Sequence, residues 1–350
     1  MSLTNQNRYR LTDQDEYTHP IEEARNFNES MYLNVFDHAQ QIGGWFRIGN
    51  RPNEGYAEVS CCLYLPDGKV AFMFSRPKIS NNKAFAAAGL KIEVVNPMKA
   101  LRLEYAGKLC LLSHPEEMAS PAKAFASNPH VECSVVLDIS SDSPAVGGEE
   151  IDGNGNPVEQ DPENSFFRGH YEQHIRGRGS FTLMPIAEEE PGPQVLKLDG
   201  LGLRDHSWGP RYWQSIEWYR WMPMNFSDEF AVVTSIVTFA DKPSEIWALV
   251  LQDGVYKSTR QVELDCQYDD KHYPLRYTLK IQLDDQDLQL DAEIISMIPL
   301  RNRRTTDTGE HLHTRIIEGF TRFSCNGYTG YGMTEFLDQV IDGVPIGIGV

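Results

Sequence analysis

Short runs in which apolar and polar residues alternate, rich in Val, Ile, Phe and Tyr, recur along almost the whole chain, cut by Gly, Pro, Asn or Asp about every ten positions. That punctuation leaves little room for long helices, and segments with helical period are few, so the expected fold class is all-β. The clearest hairpin is GYAEVSCCLYL, the turn PDGK and then VAFMFSR, with strands expected over 56–65 and 70–75. Asp67 and Gly68 offer the positive backbone angles that a tight turn demands. KIEVVN, ALRLEYAG, KLCLLS and HVECSVVLDI continue the rhythm as separate strands. EFAVVTSIVTF, EIWALVLQDG, LRYTLKIQL, TRIIEGFTRFSC and YTGYGMTEFL repeat it in the C-terminal half.

At 350 residues the chain suits two domains of ordinary size. Residues 140–165, SSDSPAVGGEEIDGNGNPVEQDPENS, hold almost nothing able to enter a core and read as a surface excursion. AEEEPGPQ at 187–194 reads as a linker, which gives β-domains over 1–186 and 195–350. Fifty acidic residues against 32 Lys and Arg leave a net charge of −18, the wrong sign for gripping nucleic acid or anionic lipid. No run approaches the ~20 apolar residues of a membrane-spanning helix, so no integral membrane segment is expected. The N-terminus lacks the plan of a secretory signal, which points to the cytoplasm, and six cysteines without CxxC spacing point to buried thiols.

Residues 198–224, LDGLGLRDHSWGPRYWQSIEWYRWMPM, concentrate four of the six tryptophans beside Asp205, His206 and Glu217. A carboxylate next to an imidazole exchanges protons near neutral pH, and indoles exclude water, so an acid/base site in an aromatic pocket is one reading. Trp208, Trp213, Trp218 and Trp221 as core filler is the other. If RDHSW is extended, alternation sets Asp205 and Ser207 on one face and Arg204, His206 and Trp208 on the opposite one.

The string GLGLRDHSWGPRYW, preceded by HYEQHIRGRGSF and GGWFRIGNRPNEGYAEV and followed by GYGMTEFL, resembles the two-domain, lipocalin-like proteins of the carotenoid 1,2-hydratase and AttH type, a group that includes kievitone hydratase-type proteins. The resemblance spans roughly residues 37–337. It implies two lipocalin-like antiparallel β-barrel or sandwich domains packed against each other, with activities that add water to isolated alkenes of carotenoids or to prenyl side chains. The group's DHxWG element falls on Asp205, His206, Trp208 and Gly209, which implies that His206 and Trp208 act in catalysis or substrate placement. A Tyr-x-Asp pair associated with carotenoid hydration has no counterpart here.

Hydrating an unactivated alkene needs proton delivery to carbon, shelter for a tertiary cation and access for one water. The expected roles are Asp205 as general acid, His206 as its partner or the water-activating base, and Glu217 in reserve. Trp208, Tyr212, Trp213, Tyr219 and Trp221 would supply aromatic faces. Trp45, His38 and His170 are second-tier pocket residues. The function so read is a cofactor-independent hydratase, dehydratase or isomerase acting on an isoprenoid, terpenoid or steroid-like substrate. The alternative is a non-catalytic carrier of such a lipid. Phosphate-cradling glycine motifs and a GxSxG elbow are absent, and no cofactor or metal is expected. His170 and His174 share a face with Glu172 nearby but no third ligand in the sequence, and His311 and His313 suit a polar strand surface. Asp152, Asn154, Asn156 and Glu163 have the spacing of a calcium loop, with Pro157 in place of the glycine its turn needs.

Overall fold

The computed structural model describes residues 8–161, 165–186, 192–240, 242–305, 309 and 311–349. The fold is all-β: two antiparallel sheets, of twelve and ten strands, and among the described residues one short α-helix, Pro121–Ser127. No helix in those residues is long and apolar enough to cross a membrane. The chain divides into two compact units.

The first unit spans Thr4–Ser113 and Ser127–Tyr212. Eight of its strands close into a ring: Phe27–Asp37, Ile42–Arg51, Tyr56–Tyr64, Val70–Ser75, Ala100–Leu112, His130–Ser140, Gly169–Leu183 and Gln194–Pro210. His130–Ser140 closes it by pairing with both Ala100–Leu112 and Gly169–Leu183. Alternation along each strand sends one set of side chains inward, and Met31, Leu33, Val35, Phe46, Ile48, Val59, Leu103, Val135 and Phe181 form an apolar core there. The expected hairpin closes over PDGK with Tyr64 opposite Val70. ALRLEYAG and KLCLLS are one continuous 13-residue strand rather than two. Part of the expected surface excursion is also ordered: Val146–Glu150 pairs with Gly169–Glu172. Edge pairing needs backbone hydrogen bonds and not apolar side chains, which is why composition missed it. Glu163, part of the calcium-loop spacing, lies outside the described residues, as do residues 187–191 of the expected linker.

The second unit holds His114–Ala126 and Trp213–Val350. Its sheet runs as an open path from Val255–Thr259 to Val262–Tyr268. Its core contains Met222, Met224, Val232, Leu279, Leu290, Ile317, Phe323 and Phe336. The division after Tyr212 differs from the boundary read at 187–194. Gln194–Pro210 hydrogen-bonds Gly169–Leu183 on one side and Phe27–Asp37 on the other, so it completes the first barrel instead of opening a second domain. Five of the six cysteines are buried, and Cys266 is half-buried.

Candidate functional site

The strand Gln194–Pro210 carries RDHSW in extended form, and its two faces build two polar clusters. Arg204, His206 and Trp208 face the barrel interior at one end of the core, while Asp205 and Ser207 face the outer wall, as alternation predicts. The loaded motif is therefore split by the strand itself. Two glycines let the aromatic end pack. At Gly169 a Cβ would lie 2.2 Å from Trp208 Cζ2, and Gly209, at φ 109°, would set one 2.5 Å from the Cβ of Arg168.

On the inner face, Glu29 is fully buried and accepts two hydrogen bonds on one oxygen, from His19 Nδ1 at 2.7 Å and from His206 Nε2 at 2.8 Å. Its other oxygen accepts from Asn82 Nδ2 at 2.6 Å and the His19 backbone N–H at 2.8 Å. Burial pushes the Glu29 carboxyl up, but hydrogen bonds and charge from His19 and His206 outweigh it and hold the group at about 2. Burial likewise pulls His19 down, yet Asp15 and Glu29 raise it to about 9. The Trp208 indole stacks on His19 with centroids 4.1 Å apart. Phe85 meets His206 edge-on at 5.3 Å, and His206 Nδ1 is buried with no hydrogen-bond partner among the described residues. One step along the strand, Arg204 donates to the buried Glu16 and, at 2.8 Å, to Gln173 Oε1, with Tyr171 beneath the guanidinium.

On the outer face, Asp205 lies directly across from Glu172 on one neighbouring strand and from Tyr32 on the other. His170, two residues from Glu172, donates from Nε2 to Asp205, and Glu172 Oε1 lies 3.6 Å from the same nitrogen. Phe167 stacks on the imidazole at 4.9 Å. Asp205 and His170 each keep 22% of their side-chain surface exposed, against none for His206. Burial pulls the His170 pKa down, but the charge and hydrogen bond of Asp205 and the charge of Glu172 turn the net shift upward.

The expected partnership of Asp205 with His206 is not made. The strand points the two side chains to opposite sides of the sheet; Asp205 takes His170, and His206 takes Glu29. Trp45 is buried on the outer-wall side, stacked on Tyr32 at 6.2 Å. His38 sits in the turn after Phe27–Asp37, six residues beyond Tyr32 and thus about 20 Å along the strand, away from the cluster. Tyr212 is half-buried, and its backbone N–H donates to Ser165. Trp213, Glu217, Tyr219 and Trp221 belong to the second unit: Tyr219 donates its hydroxyl to Glu335, and the Glu217 backbone pairs with Thr238 and Gln339. A polar hollow of about 600 Å³ in that unit, edged by Asp265, Asp291, Glu293 and Arg322, contains none of the expected site residues.

No metal was expected, yet two groups in the first unit have ligand atoms within 4.8 Å of one another: His19, Glu29 and His206, and His170, Glu172 and Asp205. Asp205, from the neighbouring strand, joins His170 and Glu172, whereas His174 of the HYEQH pair is not in the group. Glu16, His19 and Glu29 escaped the sequence reading altogether. Glu29 alone carried a signal, being an acid on the face that Met31, Leu33 and Val35 devote to the core.

Residues 12–340, reaching across both units, match the family described as a domain of unknown function, DUF7064. The chain belongs to that family. Among curated proteins no sequence match is found. The DUF7064 chain is similar in fold to an AttH-like protein (NE1406) of Nitrosomonas europaea, with TM-score 0.55 and 11% identity over 94% of this chain and 96% of that one. Kievitone hydratase from Nectria haematococca aligns with TM-score 0.54 and 10% identity over 96% and 95% of the two chains. CghA, in a crystal structure with Sch210972, aligns with TM-score 0.55 and 9% identity over 96% and 98%. The all-β fold with two antiparallel sheets expected from the RDHSWG resemblance is thus the observed one.

Proposed function

We propose that this DUF7064 protein is a hydro-lyase of the hydratase or dehydratase kind, acting on a hydrophobic substrate at the outer wall of the first barrel. The observation that carries the reading is the partly exposed Asp205–His170 hydrogen bond with Glu172 beside it. Two carboxylates favour the imidazolium, and an imidazolium is the acid that alkene protonation or hydroxyl departure requires. With Nε2 committed to Asp205, Nδ1 is the nitrogen that exchanges a proton with substrate, in the manner of a carboxylate-oriented histidine.

In the hydration direction, the Nδ1 proton forms the new C–H bond as the alkene π bond breaks. The resulting cation sits against aromatic faces, of which Phe167 is nearest the imidazole. Water then forms the C–O bond and returns its proton to Nδ1. Run backwards, the same steps expel water from a tertiary alcohol. The shared fold of a kievitone hydratase supports this chemistry on a prenyl or related isoprenoid chain.

The test is incubation of the purified chain with prenyl, terpene and steroid alkenes and alcohols in heavy-oxygen water, read by mass spectrometry. Labelled product from the wild type, lost at least a hundredfold in Asp205→Asn and in His170→Gln, is the expected result. Label that persists in both variants would refute the site. Tight binding of unchanged ligand without turnover would instead identify a carrier.

A further inference from the structure

We propose that His19 Nδ1, His206 Nε2 and one carboxylate oxygen of Glu29 form a binding site for a divalent transition-metal ion of the zinc class, at the end of the first barrel. The inference is independent of the outer-wall chemistry, since it uses the opposite face of the same strand. Two imidazole nitrogens and one carboxylate oxygen are the donor set that such an ion prefers, leaving a fourth position for water. All three ligand atoms converge: both ring nitrogens point at Glu29 Oε1, from 2.7 and 2.8 Å. Ligands bound at ~2.0–2.1 Å around a tetrahedral ion stand about 3.3 Å apart, so spreading the trio by roughly half an ångström admits one.

The surroundings are those of a metal centre as well. Asp15 Oδ1 lies 3.2 Å from His19 Nε2, the ring nitrogen that would keep its proton, giving the carboxylate–histidine–metal arrangement that fixes a ligand's tautomer. Asn82 holds the second oxygen of Glu29 at 2.6 Å. Glu29 and His206 are locked in neighbouring strands of the barrel, whereas His19 lies outside any strand and stays partly exposed, which provides the way in. The outer trio of His170, Glu172 and Asp205 offers only one imidazole.

The experiment uses the full chain, stripped with chelator and titrated with Co²⁺ and then Zn²⁺. The expected result is one tightly held equivalent of Co²⁺ with a visible ligand-field spectrum, displaced by Zn²⁺, and a change in Trp208 emission that is missing in Trp208→Phe, because the indole stacks on His19. Binding should vanish in His19→Ala, persist in His170→Ala, and weaken about 10–100-fold in Asp15→Asn, which leaves the barrel strands untouched. Circular dichroism verifies that His19→Ala is folded. Absence of a ligand-field spectrum in the wild type, retention unchanged in both His19→Ala and Asp15→Asn, or loss in His170→Ala would each overturn the proposal.

Discussion

Arg204 and Glu16 supply the sharpest test of how the first barrel is held. Both side chains are removed from solvent, with Arg204 2% and Glu16 0% exposed. The guanidinium gives one N–H to Glu16 and another to Gln173, while the second oxygen of Glu16 accepts the Met98 backbone N–H at 2.8 Å. Glu16→Ala leaves a buried cation without its counter-charge, a change that costs about 3–5 kcal/mol where an exposed pair would cost ~0–1. In a folding unit of roughly 200 residues each kcal/mol moves the midpoint by ~2–4 °C, so the melting temperature should fall by about 6–20 °C. The double variant Glu16→Leu with Arg204→Met removes both charges at similar volume and should recover at least half of that loss, since the penalty arises from the unpaired ion. Urea and thermal unfolding followed by circular dichroism and by Trp208 emission measure both. A Glu16→Ala shift below ~2 °C, or a double variant worse than the single, would refute the assignment of this pair as a buried lock.

Turnover should follow the protonation of His170. Its pKa is raised above the ordinary 6.5, so the imidazolium and the stability it contributes are fully present below that value and are lost as pH rises through the folded-state pKa. The alkaline limb of kcat therefore lies above pH 6.5, and weakening the carboxylate field with Glu172→Gln should move it toward acid; a limb that stays in place excludes His170 as the acid. Gly169→Ala sets a methyl 2.2 Å from Trp208 Cζ2, so the indole must leave its stack on His19. Overpacking of this kind costs ~1–3 kcal/mol, and an unchanged melting temperature and Trp208 emission would contradict the packing described.

What was legible in the sequence is what neighbours in the chain decide. Gly68, at φ 80°, placed the hairpin although Asp67 does not take the positive angle expected of it, and the period of two along RDHSW placed Arg204 and His206 opposite Asp205 before any partner was known. Partners brought from a distance were not legible. His206 and Glu29 are separated by 177 residues and Arg204 and Glu16 by 188, and nothing local joins them. The same limit applies to the boundary: AEEEPGPQ has the composition of a linker, but which sheet the following strand joins depends on register with Phe27–Asp37. Adjacency misled most at Asp205 and His206, because residues next to each other in a strand are the pair least able to touch.

Alternation along one strand also decides which substitutions can report on chemistry. At the inner positions 204, 206 and 208 every side chain is packed and, where charged or polar, engaged in a buried pair, so replacing His206 would disturb Glu29, and through it His19 and Asn82, whatever its part in a reaction. At position 205 the side chain is partly exposed and bonded to a partly exposed histidine, so Asp205→Asn preserves shape while altering charge at the outer wall. Loss of activity in a His206 variant is thus ambiguous between folding and mechanism. Loss in Asp205→Asn with an unchanged melting temperature is not, and on that ground the outer face of the motif, not its histidine, is where mutagenesis should begin.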